Sequence, residues 1–476
     1  MLGVYLLGFF TIIRANFSYL DDLYRSVSGD RGWYDWSRYV SEFASIFVHA
    51  DTNLTDISPL PQLLAILILS VSSVLLVYVT GNKQITIARL LASIPIGLSP
   101  YFLGCLSFKF DAPYMALSIL ASIIPFLFIS RKKAFLFCSV VSLLIMCMTY
   151  QTASGIYLLI AILLCFQDWN RRKKSTKEIL SFLGMALLAF CFAMILFKLF
   201  IMKTIDLTDY NYTTTEMHRL STMVSGILIN VKDYLMTIHS DFGMTWKIGI
   251  VLVCILFVIK SIHLSLQKKT LVFFVSILVI GSSFILSFGI YSLLTTPMLF
   301  PRSLYGFGVF LAILCIYVVS DYKKIAAITA LALNYCLLTF AFSYGNALAD
   351  QARYAEFRIS ILLHDLSSLY PDHRVSIQLE NRIDYTPLVK NISKHYPVIE
   401  KLVPTRLGTG MEGRVGIDYF FCDNYYYLTY FNYYPPDVAP FEQLADLRPL
   451  DLPVVLDSYY HTIKSDGTYC LVLLKH

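Results

Sequence analysis

Charge is scarce in this sequence: 15% of its 476 residues are charged and 57% are hydrophobic. A soluble domain carries about a quarter charged residues, so water-exposed domains are excluded as the main architecture. The ten cysteines include no CxxC and no metal-ligand spacing, which argues against zinc and iron–sulfur sites. Eight of them (Cys105, Cys138, Cys147, Cys165, Cys191, Cys254, Cys315 and Cys336) lie in apolar runs, where cysteine is a small hydrophobe. Glycine-rich phosphate loops, internal repeats and low-complexity segments are also missing. The first 13 residues, MLGVYLLGFFTII, lack the basic start and small-x-small cleavage site of a signal peptide, so they are expected to form a short first membrane helix. The net charge of +6 does not point to nucleic acid, because the basic residues gather in short clusters between apolar runs.

What is present is a series of such runs, near 59–80, 85–107, 112–130, 134–150, 152–167, 179–202, 246–266, 270–293, 303–320 and 325–344. With the first helix they make about eleven expected spans, each of roughly 20 mainly apolar residues. Lys83, RKK at 131–133, RRKK at 171–174, QKK at 267–269 and DYKK at 321–324 fall in alternate loops, which the positive-inside rule assigns to the cytoplasm. The N-terminus is then cytoplasmic, and loops 14–58, 107–111, 203–245 and 294–302 face outward. The chain divides into a transmembrane part, 1–344, and an outward C-terminal domain, 345–476. That domain is rich in tyrosine; RVSIQLE and TYCLVLL alternate as strands do, and 350–368 reads as helix, so a small α+β unit is expected. Cys422 and Cys470 lie in it, either as a disulfide or as two buried thiols.

The first outward loop is patterned. Trp33, Trp36, Val40, Phe43, Ala44 and Phe47 recur at helical spacing opposite Asp35, Arg38, Glu42 and Ser45, which predicts an amphipathic helix lying in the membrane interface. Before it stand Asp21 and Asp22, with Arg25 one turn on, a cation that keeps a carboxylate ionised. Asp111 offers a third carboxylate beside Lys109 in SFKFDAPYM, where it also suits a helix N-cap. Arg302, in TTPMLFPRSLYG, has the planar fork that binds phosphate oxygens, although snorkelling also accounts for it. Lys109, Arg302 and Arg25 are candidates to converge on one anion. Tyr150 and Gln151, in MTYQTASG, are candidate hydrogen-bond donors to a sugar or phosphate. Loop 203–245 is rich in hydroxyls and aromatics, as carbohydrate contacts are; His218 and His239 have no partner at metal-ligand spacing.

A carboxylate at the membrane surface beside a cationic phosphate site fits sugar transfer from a lipid phosphate. The carboxylate acts as general base on an acceptor hydroxyl, and the cations stabilise the departing phosphate. A single displacement of this kind inverts the anomeric configuration.

At this point the run NFSYLDDLYRSVSGDRGWYDWSRYVSE resembles the first periplasmic loop of bacterial and phage O-antigen glucosyltransferases of the Gtr group. The pattern of an aspartate pair followed by Arg, Gly, Trp and Arg is met by Asp21, Asp22, Arg25, Gly29, Trp33 and Arg38. FKFDAPYM, TYQTASG and FPRSLYG resemble further landmarks in the expected order. Where the family often has Gly-Arg after the tryptophan, this chain has Ser37-Arg38. The resemblance implies a serotype-converting GT-C-type glycosyltransferase of the inner membrane. Its donor would be undecaprenyl-phosphate glucose, and its acceptor the O-antigen of lipopolysaccharide in the periplasm. Catalysis is expected from Asp21, Asp22 and Asp111, with Arg25, Arg38, Lys109, Tyr150, Gln151 and Arg302 binding substrate. No metal cofactor is expected, although paired carboxylates can hold a divalent cation. The rival readings are transfer of another sugar, such as aminoarabinose, and a flippase for a lipid-linked sugar. A flippase would place polar residues deep in its spans and repeat its fold internally.

Overall fold

The computed structural model describes residues 1–203, 216–320, 324–371, 376–405 and 450–475. Cys422 and residues 204–215 of the expected carbohydrate loop lie outside them. Each apolar run carries a helix, but the helices are unequal. Among the described residues six are long and apolar enough to cross a membrane, or seven if Ile87–Leu98 and Pro100–Ser107, bent by 60°, count as one span. The expected count of eleven is therefore not reached by length. Leu2–Ala15, Ala112–Phe128 and Gly306–Val319 are apolar but short, and Lys132–Cys147 has 16 residues. The 14 residues of Gly306–Val319 rise only about 21 Å, against roughly 30 Å of hydrocarbon. That helix is apolar all round because protein surrounds it on every side. The 60° bend has a local cause: Pro100 opens a new helix, and the Ser99 hydroxyl caps it by accepting from the Phe102 N–H.

Small residues let these helices touch backbone to backbone. A methyl group added at Gly155, on the helix Ser154–Asn170, would sit 1.7 Å from the Leu286 carbonyl oxygen. Gly155→Ala is expected to cost at least the roughly 1–3 kcal/mol of an overpacked core. Gly184→Ala, inside the helix Thr176–Leu196 with nothing within 4 Å, is expected to cost nothing and to gain up to about 1 kcal/mol of helix propensity. Thermal unfolding of the two variants in detergent checks this; equal stability refutes the packing.

The loops sort to two ends of the bundle. At one, the Lys173 ammonium donates to Asn82, Gln267 to the Trp169 carbonyl and Lys260 to the Tyr317 carbonyl. At the other meet residues 16–38, 108–111, 148–151, 301–303 and 396–402. The helix Tyr39–His49 follows a turn over 33–37. The expected helix from Trp33 is thus shorter, because Ser37 takes a left-handed φ of 57° that breaks the helical path. Trp33 is buried, whereas Phe43 and Phe47 stay exposed on the helix. In the second long loop, residues Met223–Asp241 are helix too.

One helix of 46 residues, Lys324–Leu369, runs unbroken through position 344. Thr11, on Leu2–Ala15, donates to the Ala341 carbonyl on it. Its far part packs Ala355, Ile359, Leu362 and Leu366 on a four-stranded sheet. The strands are β1 (Ser376–Glu380), β2 (Val454–Asp457), β3 (His461–Ser465) and β4 (Tyr469–Leu474), in the order β1-β4-β3-β2. β1 pairs parallel with β4 and the other pairs are antiparallel. Residues 389–403 leave the sheet: Val389, Val398, Ile399, Leu402 and Val403 join the core of the helical bundle.

Candidate functional site

The chain leaves the helix Leu2–Ala15 through Asn16 in a left-handed conformation, φ 44°. Leu20 repeats this with φ 49°, and the tight path turns the backbone so that Asp21 stands at the N-cap position of the short helix Asp22–Ser28, its side chain free of any capping bond to that helix. The turn is closed reciprocally. The Asp22 N–H donates to the Tyr19 carbonyl at 3.0 Å, and the Tyr19 N–H donates to Asp22 Oδ2 at 2.8 Å. The Lys109 backbone N–H donates to the same oxygen at 3.1 Å. Asp22 is fully buried, and its Oδ1 has no partner among the described residues. Burial holds its carboxyl well above the usual range; the adjacent Asp21 charge adds to this, and the two N–H donors oppose it.

Asp21 differs. Its side chain is 32% exposed, although its Oδ1, like that of Asp22, is buried without a partner among the described residues, and the Arg25 guanidinium is 3.9 Å away. Desolvation raises its pKa as well, but the Arg25 and Arg302 charges pull it back. Two neighbouring carboxylates in unlike surroundings lose their protons as a pair, the more exposed one ionising more readily.

Arg25 and Asp111 form the scaffold of the turn. The buried guanidinium donates to Asp111 Oδ2 at 2.8 Å and to the carbonyls of Arg31 and Asp30, and lies 4.2 Å above the Trp33 ring. The Trp33 indole N–H donates to the other Asp111 oxygen. Both Asp111 oxygens are therefore occupied. Lys109 is committed too: its ammonium, 3% exposed, meets Asp56 Oδ2 at 2.8 Å. Asp56, Tyr19 and Trp33 were not picked out as site residues by their sequence. Asp56 carries no local signal, since its partner lies 53 positions away.

Two other arginines have different surroundings. Arg302, on the turn Pro301–Ser303, lies 5.6 Å from the Phe108 ring, and its charge acts on Asp21, Tyr19 and Tyr150. Arg38 lies 4.3 Å above the Tyr150 ring, and its buried Nε has no partner among the described residues. Gln151 reaches the Trp36 carbonyl at 3.5 Å, tying this second cluster to the turn after Trp33. The structure thus joins Asp21, Asp22, Arg25, Lys109 and Asp111 in one network, with Arg302 beside it. Arg38, Tyr150 and Gln151 form a second cluster, and Tyr150 feels both the Arg38 and Arg302 charges. Among the described residues no three His, Cys, Asp or Glu side chains stand close enough to hold a metal ion. His218 instead meets Asn230 at 3.5 Å.

Residues 10–319 match the model of a protein family described as Glucosyl transferase GtrII. That stretch contains every site residue named above. An uncharacterized 55.3 kDa protein of the gtrB 5' region in Salmonella phage P22 is 25% identical over 428 residues, covering 85% of each chain. No solved structure matches.

Proposed function

The chain belongs to the glucosyl transferase GtrII family, and from that premise we propose that it moves glucose from undecaprenyl-phosphate glucose to the O-antigen of lipopolysaccharide, on the periplasmic side of the bacterial inner membrane. The observation that carries the reading is the unlike carboxylate pair, with Asp21 partly exposed next to Arg302 and Asp22 sealed beneath it. Asp21 takes the proton from an acceptor hydroxyl as that oxygen attacks the glucosyl C1. The bond from C1 to the phosphate oxygen breaks on the opposite face, so the sugar inverts and the polyprenyl phosphate leaves with the electron pair. Arg302 and Arg38 hold that phosphate; the unpartnered Arg38 Nε is a donor ready for it. Arg25, Lys109 and Asp111 fix the turn rather than touch the phosphate, because each is buried and already paired. Tyr150 and Gln151 line the donor side. No step in this reading calls on a metal.

The test is transfer in membrane vesicles supplied with polyprenyl-phosphate glucose and O-antigen. Labelled glucose is expected in the polymer with the lipid donor and not with UDP-glucose alone; movement of the lipid-linked sugar without transfer would favour the flippase. Arg302→Ala is expected to raise the donor KM about tenfold, the value of one charge-assisted contact. Arg302→Lys should recover part of this, since it keeps the charge and loses the fork. An unchanged KM in Arg302→Ala would remove Arg302 from the phosphate site.

A further inference from the structure

The C-terminal region sends a segment into the site's foundations. The Tyr19 hydroxyl donates to the Leu402 carbonyl at 2.9 Å. The Tyr344 hydroxyl donates to the same carbonyl at 3.2 Å and pairs with the Ser107 hydroxyl at 2.8 Å. Leu402 is wholly buried against Gly104, where an added methyl would lie 2.9 Å from a Leu402 methyl carbon. On its other side the segment is anchored by charge. The Lys401 ammonium meets Asp241 at 2.5 Å, the Tyr101 hydroxyl donates to the second Asp241 oxygen at 2.9 Å, and the Val398 N–H donates to the Asp241 carbonyl. Tyr396 packs on Trp246 and Phe340. The Tyr19 ring also meets Phe108 edge-on at 4.8 Å, one residue before the Lys109 N–H that holds Asp22.

We propose that residues 396–402 position the carboxylate turn for catalysis, and that Tyr19 transmits the contact from the Leu402 carbonyl to Asp21 and Asp22. The inference rests on Asp21 being the general base. Tyr19 is a positioning residue: its hydroxyl grips the C-terminal segment while its backbone N–H fixes Asp22 Oδ2 and its carbonyl receives the Asp22 N–H. Displacement of a catalytic group by about 1 Å costs on the order of 100-fold in rate, so a hydrogen bond that seats the turn acts on turnover. The hydroxyl can be removed without orphaning the Leu402 carbonyl, because Tyr344 still donates to it.

The experiment compares full-length wild type, Tyr19→Phe, Lys401→Met and Asp21→Asn with polyprenyl-phosphate glucose as donor, recording kcat, donor KM and the pH profile of kcat. Tyr19→Phe is expected to lower kcat about tenfold, the rate equivalent of one hydrogen bond, and to move the acid limb of the profile while the donor KM holds. Lys401→Met should act in the same direction from the far side of the segment. Wild-type kcat and profile in Tyr19→Phe, a fall in kcat with an unmoved profile, or a change confined to protein yield each overturns the proposal. If Asp21→Asn is inactive and Tyr19→Phe is normal, the positioning role alone fails. If Asp21→Asn is active, the base assignment is what fails.

Discussion

Asp21→Asn is expected to lower the turnover of glucosyl transfer by about 10²–10⁴-fold, the usual contribution of a general base, at unchanged membrane level. The fold should tolerate it. Asn has the same size, and the Arg25 guanidinium keeps its close contact with Asp111 at 2.8 Å, so no buried charge is abandoned. Asp22→Asn should do less, because an amide oxygen still accepts the N–H bonds of Tyr19 and Lys109. The pH dependence carries a sign. Only the ionised base can accept a proton, and desolvation raises the Asp21 pKa. Turnover therefore falls with decreasing pH through a limb lying above the pKa of a free aspartate, about 3.9. Kinetics of purified protein across pH check this. Full turnover in Asp21→Asn together with an inactive Asp22→Asn would move the base to Asp22.

Arg25→Met is expected to be the most damaging single change to stability, costing about 3–5 kcal/mol, as when one partner is removed from a buried ion pair. Arg25 is 5% exposed and Asp111 7%, so the orphaned carboxylate has little water to replace the guanidinium, and Trp33 would be its sole remaining partner among those described here. Arg25→Met with Asp111→Leu should regain most of the loss, because the charge that made the single variant costly is gone. Neither variant should transfer glucose, since the turn that carries Asp21 has lost its brace. The surface pair Lys203–Asp35 is the contrast: at 42% and 67% side-chain exposure, Lys203→Met should leave thermal unfolding unmoved. Unfolding curves in detergent decide; a stable Arg25→Met would show that the pair is incidental.

How much of this was legible depended on distance along the chain. The Asp21–Arg25 relation was visible because four residues make one helical turn. Four landmark stretches could be recognised in order, but not which partner each residue would take. Lys109 and Asp111 are neighbours in sequence, yet they serve different elements: Lys109 meets Asp56, and Asp111 meets Arg25 across 86 positions. Trp33 and Trp36 kept a helical spacing through a segment that Ser37 turns aside, so periodicity assigned to the membrane surface an indole that braces the site. Strands β1 and β4 were readable from alternation, whereas residues 389–403, short and mixed in character, gave no hint that they leave the sheet for the helical bundle. The span count suffered from a similar blindness: hydropathy marks what is apolar, and a helix sealed in protein is as apolar as one in lipid.

The bond between Tyr19 and Leu402 joins residues 383 positions apart, and Thr11 waits almost as long for Ala341. Chains emerge N-terminus first at about 5–20 residues per second, so roughly 20–80 s of synthesis separate the two ends of that bond. The aspartates enter the membrane among the first residues made, but their seat is finished by one of the last segments delivered. A stalled or clipped chain would thus carry the acidic pair without the support that aims it. Full turnover is then expected only once synthesis has passed residue 402, long after the aspartates themselves were made.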